Sequence, residues 1–328
     1  MKVVFKVIKA GSGNDIYFQR LSEALKRVNI DSEIEYYPKY FQYFPWLLKF
    51  VNKKTQADIV HSNVEYGWVF KESNKPLYLT LHHNVFDKKY RKYTTLPQKI
   101  FHDLILKTNI RRSIQYATKL IAVSNYTKTS FIETFGELPI EVIYNFIDTD
   151  KYKPIEISSS DSRFKLLFVG NLTKRKGADL LPQIMSKLGS NFVLYYTSGL
   201  RTKIPREFNL PNMIPLGKVS EEELIMEYNK CDALLFPSRH EGFGYAVAEA
   251  MACGKPVIAF NNSSIAELIT HEENGFLFEE DTVEEIADKI IELKMNSIEF
   301  PSMKNKNLKK VSDFFSLKKT SASFTKLY

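Results

Sequence analysis

The sequence is poor in cysteine: its 328 residues include two, Cys231 and Cys253. Both lie in apolar segments, and two such residues cannot form the disulfide framework of a small secreted domain. We therefore expect buried free thiols in a protein of the reducing cytoplasm. The chain is long enough for two domains of ordinary size, each with its own core.

Long apolar runs are also missing. No stretch of roughly eighteen consecutive apolar residues, the length that a membrane-spanning helix needs, occurs in the chain. The first residues, MKVVFKVIKAGSG, are charged and strand-like, so we expect no signal peptide. No group of His, Cys or Glu has metal-ligand spacing, which favours a protein that works without a metal ion.

Acidic residues are scarce in the first half of the chain. Residues 1 to 150 hold 22 Lys and Arg against 15 Asp and Glu, whereas the remainder holds 24 against 23. Residues 86 to 119 alone contain nine basic and two acidic side chains. A basic region favours an anionic partner: a membrane surface, a phosphorylated acceptor or nucleic acid. We expect no nucleic acid, because the chain has no nucleic-acid-binding motif.

The sequence does contain a regular alternation of strand-like and helical segments. In the first half we predict strands at 3–8, 32–37, 58–61, 77–81, 120–124 and 141–144, with helices at 15–28, 98–117 and 128–135. In the second half we predict strands at 165–169, 192–196, 233–236 and 256–259, with helices at 178–188, 221–230, 245–253 and 283–295. A polar, serine-rich linker follows Pro154. The pattern predicts an α/β protein of two Rossmann-like, doubly wound parallel-sheet domains facing across a cleft.

An aromatic and basic segment, residues 39–54, interrupts this alternation. Its sequence, KYFQYFPWLLKFVNKK, has no clean helical or strand period. It fits either a loop packed onto the domain or a membrane contact in which Phe44, Trp46 and Leu47 lie below lysines. The basic residues 86–119 favour the membrane contact, because lysine and arginine bind anionic lipid surfaces.

Gly11 and Gly13 follow the first predicted strand. This order is that of a dinucleotide-binding turn, but Ile16 stands where the G-x-G-x-x-G pattern has its third glycine. The dinucleotide fingerprint is therefore weak. A glycine turn at the carboxyl end of a parallel strand still lies where ligands bind, so we predict both glycines at the binding site.

The most informative stretch is residues 217–259. There Glu241 opens a Gly-Phe-Gly loop, and Glu249 follows eight positions later in a helical segment that is otherwise small or apolar. A helix that is apolar on all sides is buried, and a buried carboxylate needs hydrogen-bond donors. The donors are either protein groups, such as a backbone amide or a lysine, or the hydroxyls of a ligand that approaches the glycine loop.

With these motifs in view, the chain resembles a known family over nearly its full length. It is similar to the retaining GT-B glycosyltransferases called glycosyltransferase family 4, or glycosyl transferases group 1. The E-x7-E spacing of Glu241 and Glu249 is the most specific match. Weaker matches are VGNLTKRKG at 169–177, AVSNYTK at 122–128, VIYNFIDTDKYKP at 142–154 and ELITHEENGFLF at 267–278.

The resemblance implies a domain plan. Residues 1–155 would form an acceptor-binding domain, and residues 156–312 a nucleotide-sugar-binding domain. Residues 313–328 resemble the helix that packs back on the N-terminal domain in such folds.

The resemblance also implies roles for individual residues. Glu249 would accept hydrogen bonds from the ribose of the donor, and Glu241 from the hydroxyls of its sugar. Lys176 would bind the diphosphate and stabilise charge on the leaving group, although a solvated lysine in a basic loop is the alternative. Backbone N–H groups of Phe243 and Gly244 would lie close to the sugar and phosphates. The remaining donor-binding positions are Gly242, Val219, Asn171 and Arg175, with Gly11 and Gly13 in the first domain.

Asn171 departs from the family pattern, which has arginine after the glycine of V-G-R. Asparagine can donate one hydrogen bond but not the bidentate fork of arginine. We expect Lys174 or Arg175 to supply the missing charge.

In the first domain, His82 ends the predicted strand 77–81. The resemblance implies an active-site histidine near the transferred sugar, and the alternative is a histidine satisfied by local backbone. We expect His83 to point away, since neighbouring side chains alternate along a strand. His61 is a lesser candidate. The triplet 148–150 spells D-x-D, which here predicts a turn and a helix start and not a metal site.

The predicted activity is transfer of a sugar from a nucleoside diphosphate, most simply UDP, to an acceptor hydroxyl with retention and without a metal. The expected acceptor is a lipid-linked or cell-surface glycan of the lipopolysaccharide, O-antigen or capsule type, which implies polysaccharide biosynthesis at the cytoplasmic face of a membrane. No cofactor is expected beyond the nucleotide sugar. No carboxylate remains for a covalent intermediate, which favours a same-face displacement. The alternatives are a GT-B epimerase or phosphorylase, and a catalytically silent sugar-nucleotide-binding protein.

Overall fold

The computed structural model describes residues 1–9, 13–158, 160–198, 204–296 and 299–328. The chain divides into two compact units. The first comprises Met1–Asn145 with Leu317–Tyr328, and the second comprises Phe146–Ser316. None of the described helices is long and apolar enough to cross a bilayer.

The first unit contains a parallel sheet. Its described strands are β1 (Lys2–Ile8), β2 (Asp31–Tyr37), β3 (Ile59–Asn63), β4 (Leu77–Leu81), β5 (Lys119–Ala122) and β6 (Ile140–Val142). They are ordered β2–β1–β3–β4–β5–β6, and each neighbouring pair is parallel. The central strands are buried along nearly their whole length, which explains why they appear in the sequence as continuous apolar runs.

The helices described in the first 145 residues lie between these strands. They are α1 (Gly13–Arg27), α2 (Leu48–Val51), α3 (Lys88–Arg91), α4 (Leu96–Phe101), α5 (Lys107–Tyr116) and α6 (Asn125–Phe135). Short 3₁₀ turns occur at Lys39–Gln42, Pro45–Leu47 and Gly67–Phe70.

The helix predicted at 98–117 begins at Leu96 and continues to Tyr116 through a π turn at His102–Leu106. It starts two residues early because the backbone N–H of Thr95 donates to the side chain of Gln98 at 2.8 Å, a capping arrangement. Pro97 is tolerated there because the first turn of a helix needs no backbone donor.

The second unit contains another parallel sheet. Its described strands are β7 (Phe164–Phe168), β8 (Phe192–Thr197), β9 (Met213–Gly217), β10 (Ala233–Phe236), β11 (Val257–Phe260) and β12 (Gly275–Phe278). They are ordered β12–β11–β10–β7–β8–β9. The order reverses direction between β7 and β10, and ligands of doubly wound sheets bind outside the carboxyl ends of strands at such a reversal.

The helices described in this unit cover both faces of its sheet. They are α7 (Leu181–Leu188), α8 (Glu221–Lys230), α9 (Tyr245–Ala252), α10 (Ile265–Leu268), α11 (Val283–Met295) and α12 (Phe300–Phe314), with 3₁₀ turns at Lys174–Lys176, Ala178–Leu180 and Arg206–Phe208. The prediction of two Rossmann-like parallel-sheet units is confirmed. Cys231 and Cys253 are buried and unpaired, as expected.

Among the elements that were not predicted from the sequence are β9, β12 and α12. β9 and β12 are the edge strands of their sheet. Pro215 weakens the strand pattern of β9 in the sequence, yet it is tolerated in the structure because β9 lies at the edge of the sheet. In α12 the buried side chains are Met303, Asn307 and Val311, a single narrow stripe that gives little periodic signal.

The contacts between residues divide the chain ten positions before the predicted boundary at 155. Residues 146–155 group with the second unit because they bond to α8. The side chain of Asn229 accepts from the backbone N–H of Ile155 at 2.7 Å and donates to the carbonyl of Lys153 at 3.2 Å.

The last helix, α13 (Leu317–Leu327), groups with the first unit. Its carbonyl at Leu327 accepts a hydrogen bond from the hydroxyl of Tyr78 on β4 at 3.0 Å. Phe324, which is fully buried, lies with its ring centroid 6.0 Å from that of His61.

Candidate functional site

Two loops meet at the strand-order reversal of the second unit. One follows β7 and carries residues 169–179, and the other follows β10 and carries residues 237–244. Because β7 and β10 are parallel neighbours, both loops leave the same edge of the sheet. This edge brings together most of the donor-binding residues predicted from the sequence.

Lys176 and Glu241 form the centre of this edge. The Lys176 Nζ donates to Oε1 of Glu241 at 2.6 Å, and the hydroxyl of Ser238 donates to the same oxygen at 2.5 Å. The guanidinium of Arg175 lies 3.8 Å from that oxygen. Glu241 is 9% exposed, so two hydrogen-bond donors and a further cation surround a nearly buried carboxylate.

The charge state of this cluster follows from its contacts. Burial acts to raise the pKa of Glu241, but the positive charges of Lys176 and Arg175 outweigh it and lower that pKa to about 2. Burial lowers the pKa of Lys176, and Glu241 opposes that change. Glu241 is therefore a carboxylate at neutral pH, held between two cationic side chains.

Gly177 lets the Lys176 loop lie directly against the end of β10. Its φ is 72°, and a Cβ there would lie 1.9 Å from the carbonyl oxygen of Pro237. A side chain is therefore excluded by both conformation and space. The glycine allows the two loops to approach until Lys176 reaches Glu241.

The backbone of Glu241 is held at both ends. Its N–H donates to the hydroxyl of Ser263 at 3.0 Å, and its carbonyl accepts from the hydroxyl of Ser264 at 3.1 Å. Gly244, with φ 96°, begins α9, and a Cβ there would lie 2.6 Å from Ile265. These contacts fix the glycine loop before any ligand binds.

Glu249 lies on α9, which is buried on nearly every side, as predicted. Its Oε2 accepts a hydrogen bond from the hydroxyl of Tyr228 at 2.9 Å. Tyr228 is fully buried, and burial together with the charge of Glu249 raises its pKa, so the phenol keeps its proton. One donor for the buried carboxylate is thus a tyrosine of α8, and neither a lysine nor a backbone amide.

The other predicted donor-binding residues are spread along the same edge. Asn171 is exposed and follows β7, whereas Arg175 is half-buried and donates to the carbonyl of His240 at 2.7 Å. Val219 is half-buried and lies just before Ser220, which caps α8. Gly242 is half-buried, and Phe243 is buried against Phe315, with ring centroids 5.6 Å apart.

The two glycines predicted in the first domain have a different outcome. Gly13 is the exposed first residue of α1, and a Cβ there would meet nothing within 4 Å. Gly11 lies outside the described residues. The geometry therefore does not require a glycine at position 13.

His82 directly follows β4 in the first unit and is 7% exposed. Its Nε2 lies 3.1 Å from the amide oxygen of Asn63, and its ring stands edge-on to Tyr17 at 4.7 Å. Burial, with smaller contributions from His83 and His61, lowers the pKa of His82 to about 3. The imidazole is neutral at physiological pH, and its contact with an amide oxygen assigns the proton to Nε2.

The two neighbouring histidines differ from His82. His83 lies against Tyr90, at 5.4 Å between ring centroids, and so contacts other groups, as expected. His61 is fully buried, with Nδ1 2.6 Å from the hydroxyl of Tyr328 and Nε2 2.7 Å from that of Thr80. Both of its nitrogens are used inside the first unit, which makes His61 a structural histidine.

The D-x-D triplet at 148–150 forms a turn. The backbone N–H of Asp150 donates to the carboxylate of Asp148 at 3.1 Å. The expected helix start is wrong, because no helix begins in the described part of residues 151–163. No group of three His, Cys, Asp or Glu side chains that could share a metal ion is found among the residues described.

Residues of the site that were not predicted from the sequence include Ser238, Ser263 and Tyr228. Ser238 lies three positions before Glu241, and its proximity to the motif was an available signal. Tyr228 is 21 positions from Glu249 and Ser263 is 22 from Glu241, so no local pattern could connect them.

Two family models match the chain. The model described as Glycosyltransferase Family 4 matches residues 12–151, and that described as Glycosyl transferases group 1 matches residues 151–311. Together they span both units of the structure.

Curated relatives agree with these models. An uncharacterized glycosyltransferase of Methanocaldococcus jannaschii is 36% identical over 234 residues, which is 69% of this chain and 65% of that protein. The GDP-mannose-dependent alpha-(1-6)-phosphatidylinositol monomannoside mannosyltransferase of Mycobacterium tuberculosis is 27% identical over 212 residues, 56% of this chain and 55% of that protein. The matches thus span between half and two thirds of the length of these relatives.

The fold agrees with that of solved GT-B structures. The crystal structure of HepE from Anabaena in complex with UDP and glucose matches with a TM-score of 0.80 at 20% identity, covering 100% of this chain and 99% of that one. The implied GT-B fold is therefore confirmed. With both family models and the E-x7-E site in place, the chain belongs to glycosyltransferase family 4, the GT-B glycosyltransferases of group 1.

Proposed function

We propose that this protein transfers a sugar from a nucleoside diphosphate sugar, UDP-linked in the simplest case, to an acceptor hydroxyl with retention of configuration and without a metal ion. The observation that carries the proposal is the contact of Lys176 with Glu241 at the strand-order reversal. The buried Glu249 lies on α9, the helix that follows Glu241 and its glycine loop. The presence of UDP and glucose in HepE, a structure of the same fold, supports this choice of donor.

The charges at the site suit a diphosphate. Lys176 and Arg175 supply two positive charges against the one carboxylate of Glu241, which leaves an excess of one positive charge for the leaving group. Such preorganised cations stabilise negative charge as it develops. In other transferases, a divalent cation stabilises the charge of the leaving group in this way.

In the proposed reaction, the bond between the anomeric carbon and the diphosphate oxygen breaks, and the diphosphate keeps the electron pair. The acceptor oxygen attacks from the same face and gives its proton to the leaving phosphate. Glu241 is ionised and already bonded to Lys176 and Ser238, so we assign it to holding sugar hydroxyls and not to covalent attack. Glu249 binds the ribose.

His82 would contribute a neutral imidazole from the first unit. Because its pKa is lowered to about 3 and its proton lies on Nε2, the imidazole carries no positive charge and can accept a hydrogen bond from a substrate hydroxyl through Nδ1. We therefore assign it to substrate positioning.

We further propose a lipid-linked acceptor at the cytoplasmic face of an anionic membrane, bound through residues 39–54 and 86–119 of the first unit. Large apolar side chains are exposed in both segments: Tyr40, Tyr43, Phe44, Trp46, Leu47, Phe50, Val51, Leu96, Ile100 and Leu104. The segments meet where the ring centroids of Tyr43 and Phe101 are 5.7 Å apart. The phosphatidylinositol-based acceptor in the name of the mycobacterial relative supports a lipid.

The shape and charge of this surface suit a bilayer. Residues 96–105 line a shallow apolar groove of about 380 Å³. Residues 39–54 carry lysines and no acidic side chain, and residues 86–119 carry nine basic side chains against two acidic ones. Apolar side chains surrounded by lysine and arginine bind bilayers that contain anionic lipid.

A donor screen tests the proposed activity. The purified protein is incubated with UDP- and GDP-sugars, nucleotide release is measured, and UDP affinity is determined by calorimetry for wild type, Glu249→Gln and the surface control Lys187→Met. We expect UDP to bind the wild type and the control about equally and Glu249→Gln about tenfold more weakly. The absence of turnover with every donor, together with unchanged UDP affinity in Glu249→Gln, would refute the transferase. Turnover that needs inorganic phosphate would favour the phosphorylase alternative.

Vesicle flotation tests the membrane proposal. Phe50→Ser and Leu104→Ser each remove an apolar side chain that is at least 70% exposed, and Met295→Ser is the equally exposed control in the second unit. We expect the wild type to float with anionic vesicles and little with neutral ones. Flotation with anionic vesicles should be lost in Phe50→Ser and Leu104→Ser but not in Met295→Ser. Equal recovery with both vesicle types, or none, contradicts the proposal.

A further inference from the structure

The loop that carries Lys176 is hydrogen-bonded to a buried arginine that the proposed chemistry does not use. Arg239 lies two residues before Glu241 and is 2% exposed. We propose that Arg239 is a positioning residue, which fixes the loop of residues 173–179 and thereby sets where the ammonium group of Lys176 meets the donor. The part of this inference that concerns the donor rests on the proposed function.

Arg239 holds the Lys176 loop on both sides of the lysine. Before it, the guanidinium donates to the carbonyl of Lys174, and the backbone N–H of Arg239 donates to the carbonyl of Arg175 at 2.8 Å. After it, the guanidinium donates to both carboxylate oxygens of Asp179, at 2.7 and 3.0 Å. Lys176 is thus enclosed between two points of attachment to one side chain.

The same guanidinium is anchored away from the loop. Its Nε and one terminal nitrogen donate to Oδ1 of Asp281, at 2.9 and 2.5 Å. Asp281 lies between β12 and α11 and has a φ of 69°. Arg239 therefore bridges the loop after β7 to the segment that follows β12.

The hydrogen bonds of Arg239 leave it a role in positioning the loop and none in ligand binding. A guanidinium has five N–H donors, and the five bonds to Asp179, Asp281 and Lys174 use all of them. No donor of Arg239 remains for a phosphate or a sugar. Lysine has one nitrogen and no planar fork, so it cannot reproduce the set.

Other contacts also hold the loop: Arg175 donates to the carbonyl of His240 at 2.7 Å, and Ser238 donates to that of Arg175 at 3.4 Å. The loop consists of short 3₁₀ turns with Gly177 in the left-handed region, and 3₁₀ turns hold their conformation weakly. Arg239 also lies only two residues before Glu241 in the chain, so one residue fixes both partners of the Lys176–Glu241 contact.

Substitution of Arg239 should leave the fold intact. The side chains of Asp179 and Asp281 are 36% and 61% exposed, so water can solvate their carboxylates once the arginine is gone. The matched control is Arg163→Met, since Arg163 makes a similar forked pair with Asp161 at 2.8 Å outside the donor edge.

The experiment compares Arg239→Met, Arg239→Lys, Asp179→Asn and Arg163→Met by amide hydrogen exchange without ligand and by UDP affinity. We expect faster exchange confined to residues 173–179 in the first three variants and none in the control. UDP should bind Arg239→Met about tenfold more weakly. The double variant with Lys176→Met should bind no more weakly than Lys176→Met alone, because both changes remove the same contact.

Each outcome decides the inference. Unchanged exchange at residues 173–179 in Arg239→Met overturns it, and so does additive loss of UDP affinity in the double variant. Amide exchange in Arg239→Met rises throughout the second unit if the variant is destabilised as a whole. In that case the exchange of residues 173–179 in Asp179→Asn, which keeps the arginine, decides the inference. If the wild type binds neither UDP nor GDP, the proposed function fails, whereas the exchange data still show whether Arg239 holds the loop.

Discussion

Lys176 and Glu241 are 65 positions apart in the chain, yet the Nζ of one lies 2.6 Å from the Oε1 of the other. Strand pairing brings them together, because β7 and β10 are neighbours in the sheet although they are far apart in sequence. The contact joins the two motifs that carry the family resemblance into one site. It also supplies an ion pair whose contribution to stability can be measured.

The ion pair makes stability depend on pH. The pKa of Glu241 is lowered in the folded protein from 4.5 to about 2, so its contribution is complete above the unfolded value and is lost as the pH falls from about 4.5 towards 2. We expect Glu241→Gln to lower the free energy of unfolding at pH 7 by roughly 1–3 kcal/mol, and by about half of that or less at pH 3. Urea unfolding at both pH values measures this.

The control for that experiment is Glu284→Gln, which removes an exposed carboxylate paired with Lys187. We expect little change in this variant at either pH, since exposed ion pairs contribute little. A difference between wild type and Glu241→Gln that stays constant with pH contradicts the assigned charge state.

Tyr228 and Glu249 should have separable effects. Tyr228→Phe removes a hydrogen bond to a buried carboxylate, so we expect the free energy of unfolding to fall by about 1–3 kcal/mol. UDP affinity should fall much less than in Glu249→Gln, because the tyrosine does not contact the donor in the proposed site. Calorimetry with UDP and urea unfolding of both variants check this, and equal loss of UDP affinity in the two would count against the assignment.

Gly177→Ala should disrupt the Lys176 loop. The added Cβ would lie 1.9 Å from the carbonyl oxygen of Pro237, whereas Gly217→Ala, at a similar φ of 70°, meets nothing within 4 Å. We expect the Gly217 variant to lose about 1 kcal/mol from backbone strain and the Gly177 variant at least twice that. Urea unfolding and UDP affinity measure both, and similar losses would show that the close approach is unimportant.

His82 should stay neutral over the physiological pH range. Burial lowers the pKa of His82 from 6.5 to about 3. As the pH falls from about 6.5 towards 3, the unfolded chain takes up a proton at this residue and the folded protein does not, so the free energy of unfolding decreases. We expect the ring-nitrogen chemical shifts of His82 to be constant from pH 8 to pH 5. Resonance assignment by comparison with His82→Gln identifies the signals, and a titration midpoint above pH 6 would refute the neutral imidazole.

Local features were predictable from the sequence because their causes are local. The burial of α9 followed from a run of small apolar side chains, and the demand of Glu249 for a donor followed from that burial. The central strands followed from continuous apolar runs. β9 and β12 were not predicted in the same way, because β9 contains a proline, which weakens a strand pattern, and β12 is only four residues long.

Part of the site was also predictable. The E-x7-E spacing and the Lys-Gly pair identified Glu241, Glu249 and Lys176 as residues of one function. The partners of these residues were not predictable, because Tyr228 and Ser263 reach Glu249 and Glu241 from parts of the chain that only the pairing of strands in the sheet brings together.

The sequence by itself thus determined the two parallel sheets, the buried helix of Glu249 and the family to which the chain belongs. Only the tertiary structure decided which donors meet Glu249, which cations meet Glu241, and that His61 is structural. The physical reason is that burial and periodicity are properties of neighbouring residues, whereas a hydrogen bond between distant residues depends on strand order. At the Lys176–Glu241 contact, that order turned two separate motifs into a single charged site.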